Sequence, residues 1–112
     1  MWTVSATDEY IEWFCSLPSK AQEALLAKVL LLEEFGPHLG RPHADTLKGS
    51  RIKNLKELRA RTHAQVLRVL YYFDEERQAI LLIGGDKKGR NEKDFYSRLI
   101  QIAEEIVERY RR

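Results

Sequence analysis

The sequence predicts an α+β fold: a small antiparallel sheet of about four strands packed against an N-terminal helical hairpin, with one further helix at the C-terminus. Three observations predict it. Apolar residues recur every three to four positions from Ala21 to Phe35 and again from Phe95 to Ile106, the spacing of one buried helix face. From Leu55 the period changes to two and persists through three segments joined by short polar links. The order is then strand, two helices, three strands, helix. Three consecutive strands with short links form a meander, one face of which the hairpin must cover.

Each element has a local reason. Residues 2–5 alternate and favour a short strand. Thr7 offers a helix N-cap, and Asp8 and Glu9 follow in the first turn, where the helix dipole favours acids. That helix buries Tyr10 and Phe14, with Trp13 beside them, and ends near Leu17-Pro18. Ser19 and Gln22 have capping-box spacing and open a second helix. Ala21, Leu25, Val29, Leu32 and Phe35 make its buried stripe, and Gly36-Pro37 stops it. So short a link between the two helices makes them an antiparallel pair.

Residues 36–50, with His38 and His43, read as an irregular connection. Leu55 to Arg61 is a strand that places Glu57, Arg59 and Arg61 on one side. Gln65 to Asp74, dense in β-branched and aromatic residues, is a central strand. Asp74 to Arg77 is a tight polar turn. Ala79 to Ile83 is a short strand buried on both faces, and Gly84-Gly85 ends it before a polar loop from Asp86 to Arg90. Asn91 caps the last helix, with Asp94 three residues on, and Phe95, Leu99, Ile102 and Ile106 form its apolar stripe.

With 112 residues and 44% hydrophobic content the chain is expected to be one domain, 1–112. Charged residues at 32% are well mixed, which argues against disorder. The single Cys15 allows no internal disulfide and no cysteine pair for zinc. No signal-peptide pattern and no membrane-length apolar run is read, so a cytoplasmic protein without membrane contact is expected. The net charge of +2 hides an uneven distribution. Residues 1–40 carry Lys20 and Lys28 against six acids, whereas residues 41–68 carry eight Lys or Arg against Asp45 and Glu57. A basic segment in a near-neutral chain points to a polyanionic partner, although a solvated face would give the same count.

Phosphate loops, His-Glu-x-x-His and nucleophile-elbow serines are absent. His38 and His43 have no carboxylate–histidine pattern near them, so no metal or other cofactor is expected. What remains is a set of basic and hydroxyl side chains on and beside the sheet. Arg68 stands between Val66, Leu70 and Tyr72 on its own strand face, where a charge is costly unless it meets a partner or solvent. A salt bridge to Glu57 would answer that cost. So would a phosphate, which the guanidinium fork matches.

RNA cleavage requires a base for the attacking 2′-hydroxyl, positive charge at the phosphate and an acid for the leaving 5′-oxygen. Lys53, Lys56, Arg59, Arg68, Lys87 and Tyr96 supply suitable types. Arg61 extends the basic strand face. His63 is the neutral-pH titrator of the basic segment, or a plain turn residue. Tyr96, next to core residue Phe95, could equally be a packing aromatic. Lys88, Arg90 and Lys93 read as solvated charges that attract an RNA backbone.

Taken together, the runs TLKGSRIKNLKELR at 46–59, VLRVLYYFD at 66–74 and AILLIGGDKKGRNEKDFY at 79–96 resemble the RelE/ParE superfamily of toxin–antitoxin toxins. Within it they are most similar to the HigB-like branch that includes phage-derived toxin-like proteins. The resemblance implies a RelE-like sheet on a helical hairpin with a basic concave face opposite. It implies metal-free mRNA cleavage, usually at the ribosome, and a cognate antitoxin, commonly a helix-turn-helix protein in the HigA style. By matching position, Arg68 becomes the phosphate-binding arginine and Arg59 a second positive charge at the scissile phosphate. Lys87 falls where the family places an acid near the leaving group, and Tyr96 where a late tyrosine meets the nucleotide. Lys53 and Lys56 match the basic approach to the sheet, with Arg61, His63 and Lys88 as further RNA contacts. No paired histidine appears where some HigB enzymes use one, which leaves the general base unassigned.

Two other readings share this fold. A ParE-like relative would poison DNA gyrase, which does not require Arg59, Arg68 and Lys87 together. A non-catalytic RNA- or protein-binding module would keep the basic face without turnover.

Overall fold

The computed structural model describes residues 1–111. The elements are β1 (Val4–Ala6), α1 (Asp8–Cys15), α2 (Ser19–Phe35), a single 3-10 turn (Gly36–His38), β2 (Ala44–Thr46), β3 (Lys56–Arg61), β4 (Val66–Phe73), β5 (Ala79–Asp86) and α3 (Glu92–Tyr110). They build one sheet in the order β1-β5-β4-β3-β2. The expected α+β arrangement is present: β2 to β5 form an antiparallel run, and β1 joins β5 in parallel.

Two cores lie on the two sides of this sheet. Strand alternation sends Leu58, Ala60, Leu67, Val69, Tyr71 and Leu81 to the side covered by the helical hairpin, where they meet Tyr10, Leu25 and Leu32. Leu55, Leu70 and Leu82 go to the other side, where Phe95, Leu99, Ala103 and Ile106 of α3 cover them. Thr7 ties the hairpin to the sheet: its Oγ1 accepts from the Tyr10 amide at 3.0 Å and donates to the Leu82 carbonyl at 2.7 Å. The α3 cap is as expected, with the Asn91 side chain accepting from the Asp94 amide at 3.1 Å.

Four local expectations are corrected. Residues 36–50 are not wholly irregular, because Ala44–Thr46 pairs with Lys56–Leu58 as a fifth strand. The capping box at Ser19 and Gln22 does not form: Pro18 is the cap residue, and the Gln22 side chain donates instead through Nε2 to the Phe14 carbonyl at 2.8 Å, bracing α2 against α1. Phe35 ends α2 with 45% of its surface exposed rather than closing the buried stripe.

Gly84-Gly85, finally, lie inside β5 opposite Val69 and Arg68 instead of ending it. A Cβ on Gly84 would stand 2.2 Å from the Trp13 ring, and one on Gly85 would stand 3.0 Å from the Phe95 ring. The glycines are thus strand residues whose missing side chains let α1 and α3 close on the sheet from opposite sides. Just before them, a register shift between Leu70 and Tyr71 sets Leu82 outside the regular pairing, a bulge that lets β5 bend.

Two stability measurements check this packing. Gly84→Ala forces Trp13 off the strand and is expected to cost about 1–3 kcal/mol in urea denaturation, the range for overpacking a core. Tyr71 is fully buried and its hydroxyl has no hydrogen-bond partner. Tyr71→Phe is therefore expected to leave stability unchanged or to raise it by about 1 kcal/mol; a loss beyond that would show that the hydroxyl is satisfied.

Candidate active site

On the α3 side of the sheet, strand alternation aligns Glu57 and Arg59 of β3 with Arg68 and Leu70 of β4. The register sets Arg59 directly opposite Arg68 and Glu57 opposite Leu70. Two arginines facing each other across a ladder repel, and Arg68 is also only 4% exposed. The sequence answers both problems with carboxylates. Arg68 Nε lies 3.5 Å from Glu57 Oε1, both side chains being buried. Its Nη1 donates to the Leu67 carbonyl at 3.0 Å, and its Nε donates to the Tyr96 hydroxyl at 3.2 Å. The Tyr96 hydroxyl in turn donates to Glu57 Oε1 at 2.6 Å. Arg68, Tyr96 and Glu57 therefore form a closed triangle between β3, β4 and the N-terminal part of α3.

Lys87, just after β5, sits on the rim of this triangle. Its backbone amide bonds to the Val66 carbonyl at 2.8 Å, which fixes where the side chain starts. Its ammonium lies 5.7 Å from the Tyr96 ring centre and 2.6 Å from Glu92 Oε1. That contact holds the Glu92 carboxyl below the usual carboxylate range, with the positive fields of Arg68 and Arg59 acting in the same direction. Burial, followed by the Glu57 carboxylate beside it, pushes the Tyr96 phenol up to about 12. Three cations (Arg59, Arg68, Lys87) thus share the field of two carboxylates (Glu57, Glu92). Asp45, whose field Arg59 also shares, is paired with Arg41, so the cluster keeps an excess of positive charge, the sign that complements a phosphodiester.

The structure brings Arg59, Arg68, Lys87 and Tyr96 together and disperses the other candidates. Lys53 is exposed in the turn before β3. Lys56 alternates to the hairpin side of the sheet, opposite Tyr71, and its Nζ reaches Thr46 Oγ1 at 3.4 Å. Arg61 is exposed at the end of β3. His63 is exposed in the β3–β4 turn, where its carbonyl accepts from Lys88 Nζ at 3.3 Å. The Arg68–Glu57 bridge anticipated from alternation is present. The hydroxyl of Tyr96 that joins both groups, and the pairing of Lys87 with Glu92, had no sequence signal, since each depends on where α3 starts relative to β5. Among the described residues no group of three or more His, Cys, Asp or Glu is placed to hold a metal ion.

Two predictions follow from the triangle. Glu57→Gln leaves a buried guanidinium without its counter-charge and is expected to destabilise the fold by about 3–5 kcal/mol, read by urea denaturation. The second concerns alkaline pH. Because burial and Glu57 push the folded Tyr96 phenol up to about 12, its stabilising contribution is complete below pH 10 and is lost as pH rises from 10 to about 12. Tyr96→Phe should remove one late-ionising phenol from the phenolate absorbance titration and flatten that fall in stability.

Comparison with known proteins shows the family and the fold. Residues 12–108 match the family model described as Phage derived protein Gp49-like (DUF891). The chain is 40% identical over 106 residues to the Mycobacterium tuberculosis protein named "Putative toxin HigB2", covering 94% of this chain and 52% of that one. It thus spans about half the length of that relative. It is 43% identical over 98 residues to "Putative toxin HigB3" of the same organism, covering 88% of this chain and 83% of that one. Among solved structures, a double-arginine mutant of the E. coli toxin RelE in the free state superposes with a TM-score of 0.60 at 15% identity, over 96% of both chains. A chain of the archaeal RelE–RelB complex from Pyrococcus horikoshii superposes with a TM-score of 0.56 at 20% identity, covering 79% of this chain and 97% of that one. The chain belongs to the phage-derived Gp49-like family, is a homologue of the HigB toxins, and carries the RelE fold.

Proposed function

We propose that this chain is the toxin of a toxin–antitoxin pair and acts in the cytoplasm as a metal-independent mRNA endoribonuclease working with the ribosome. The observation that carries the reading is the convergence of Arg59, Arg68, Lys87 and Tyr96 on one point with a net positive charge. HigB relatives and the RelE fold support it. The partner complexed with the archaeal RelE supports a cognate antitoxin, here of the helix-turn-helix, HigA-like kind.

The reaction is a transfer within the RNA strand. The 2′-oxygen bonds to the adjacent phosphorus, the bond from phosphorus to the 5′-oxygen breaks, and the products are a cyclic phosphate and a 5′-hydroxyl. Arg68 and Arg59 stabilise the charge that grows on the phosphoryl oxygens. The proton leaving the 2′-hydroxyl goes to the Tyr96 oxygen as Tyr96 passes its own proton to Glu57, along the 2.6 Å hydrogen bond already in place. Lys87, released from Glu92, gives a proton to the departing 5′-oxygen.

Induced expression in a bacterial host, with growth followed and mRNA 5′ ends mapped within minutes, tests this. Wild type is expected to arrest growth and to produce new, ribosome-phased cuts. Arg68→Lys keeps a charge in the buried position but loses the fork, and Lys87→Ala removes the acid at the rim. Each is expected to lower cutting by about 10²–10⁴-fold, the range for one general acid or one charge-stabilising group. Arrest with intact mRNA and damaged DNA would move the reading to a gyrase poison. Folded protein without arrest would leave a binding module.

A further inference from the structure

Beyond the triangle, a second concave surface runs between α2 and β3. It has a volume of about 520 Å³, and its lining includes Lys28, Pro42, Arg59, Arg61 and Arg68 together with small alanines of both elements. The edge is open because the pairing with β2 ends at the bond from the Arg59 amide to the His43 carbonyl at 2.9 Å, which leaves Ala60 and Arg61 of β3 with β4 on one side and no strand on the other. Every charged residue that lines the groove is a cation.

These cations are poorly neutralised. Arg68 is held by Glu57, and Arg59 feels Asp45 and Glu92 only through space. Lys28 and Arg61 have no ion pair among the described residues. The hydrogen bond of Lys28 Nζ is to His43 Nδ1 at 2.8 Å. An ammonium can only donate, so the imidazole accepts at Nδ1 and adds no negative charge. A groove lined by four cations with no carboxylate in its wall repels itself until an anion enters it. The alanines and Pro42 leave room for a sugar, and Arg68 lines both the groove and the triangle, which makes the two continuous.

We propose that this groove is a phosphate-binding subsite that holds the sugar–phosphate backbone of the single-stranded RNA flanking the scissile bond, with Lys28 of α2 and Arg61 of β3 as its anchors. The assignment rests on the reading of the triangle as an RNA-cutting centre. It extends the contact from the α3 side of the sheet around the edge of β3 to a helix that the segmental charge marks as acidic.

The test is equilibrium binding of the full chain to a 12-nucleotide single-stranded RNA, made uncleavable by 2′-O-methyl groups, over a series of salt concentrations. The variants are Lys28→Ala, Arg61→Ala and Lys28→Arg, with Lys20→Ala as a control at the far, exposed start of α2. Each alanine in the groove should weaken binding and reduce the slope of log affinity against log salt by about 0.7, one phosphate contact on a single strand. Lys28→Arg should restore the slope, and Lys20→Ala should leave it at the wild-type value. Lys28→Ala also removes the bond to His43; should it unfold, Arg61→Ala and Lys28→Arg still decide. If both groove variants keep the wild-type slope while Arg68→Lys binds more weakly, the groove is overturned and the cutting centre stands. If Lys28→Ala and Arg61→Ala lose the antitoxin but not the RNA, the groove belongs to an acidic protein segment and the proposal is overturned. If wild type binds no RNA, the groove and the reading beneath it fall together.

Discussion

The burial of one guanidinium, that of Arg68 in the middle of β4, is the constraint around which this structure is arranged. A charge in an apolar strand must be paired and hydrogen-bonded or it costs several kcal/mol. Its partners come from two elements far apart in sequence, Glu57 on β3 and Tyr96 on α3. The Glu57 contact requires the β3–β4 register that sets Arg59 opposite Arg68. The Tyr96 contact requires α3 to begin where it does, which the Asn91 cap and the anchoring of Lys87 to Val66 provide. A shift of β3 by one residue would turn Glu57 and Arg59 together toward the hairpin and leave Arg68 buried without a counter-charge.

The position of α3 is then settled from several directions. Gly85 lets Phe95 come down onto β5, while Gly84 lets Trp13 do the same from the hairpin side. Farther along, Glu104 accepts from Ser50 Oγ and from the Arg51 amide, which ties the β2–β3 connection to the helix. At the C-terminal end Arg109 pairs with Glu9 of α1. Exposed pairs of this kind contribute little each. Their value lies in geometry, since all of them hold one helix over one buried charge.

The order of elements and both buried helix stripes were legible because periodicity reports which face meets a core. The Arg68–Glu57 pairing was legible too, since alternation alone puts both on one side. Three things were not. β2 is three residues long and pairs through its backbone, so Ala44, Asp45 and Thr46 carry no strand pattern. Gly84-Gly85 carry the statistics of a chain break, and only the rings of Trp13 and Phe95 above and below explain them as strand residues. Lys28 belongs to an acidic hairpin in sequence, yet the turn of α2 faces it toward the edge of β3, and no linear count of charge could show that. Local propensity is visible in a sequence; the convergence of distant side chains is not.

A site made to receive a phosphate must hold its cations before the phosphate arrives, and the two carboxylates here do this differently. Glu57 is buried with Arg68 and Tyr96, and removing it would strand a charge in the core. It is fixed. Glu92 is 70% exposed and pairs with a Lys87 that is itself on the rim. An ion pair with so exposed a carboxylate is weak, because water screens it and readily takes the place of Glu92. On the proposed reading, an incoming phosphodiester takes Lys87 from Glu92 at almost no cost, while Arg68 stays where Glu57 and the sheet have put it. The leaving-group acid is then the adjustable half of the site and the phosphate-binding arginine the rigid half, a division that follows from burial alone.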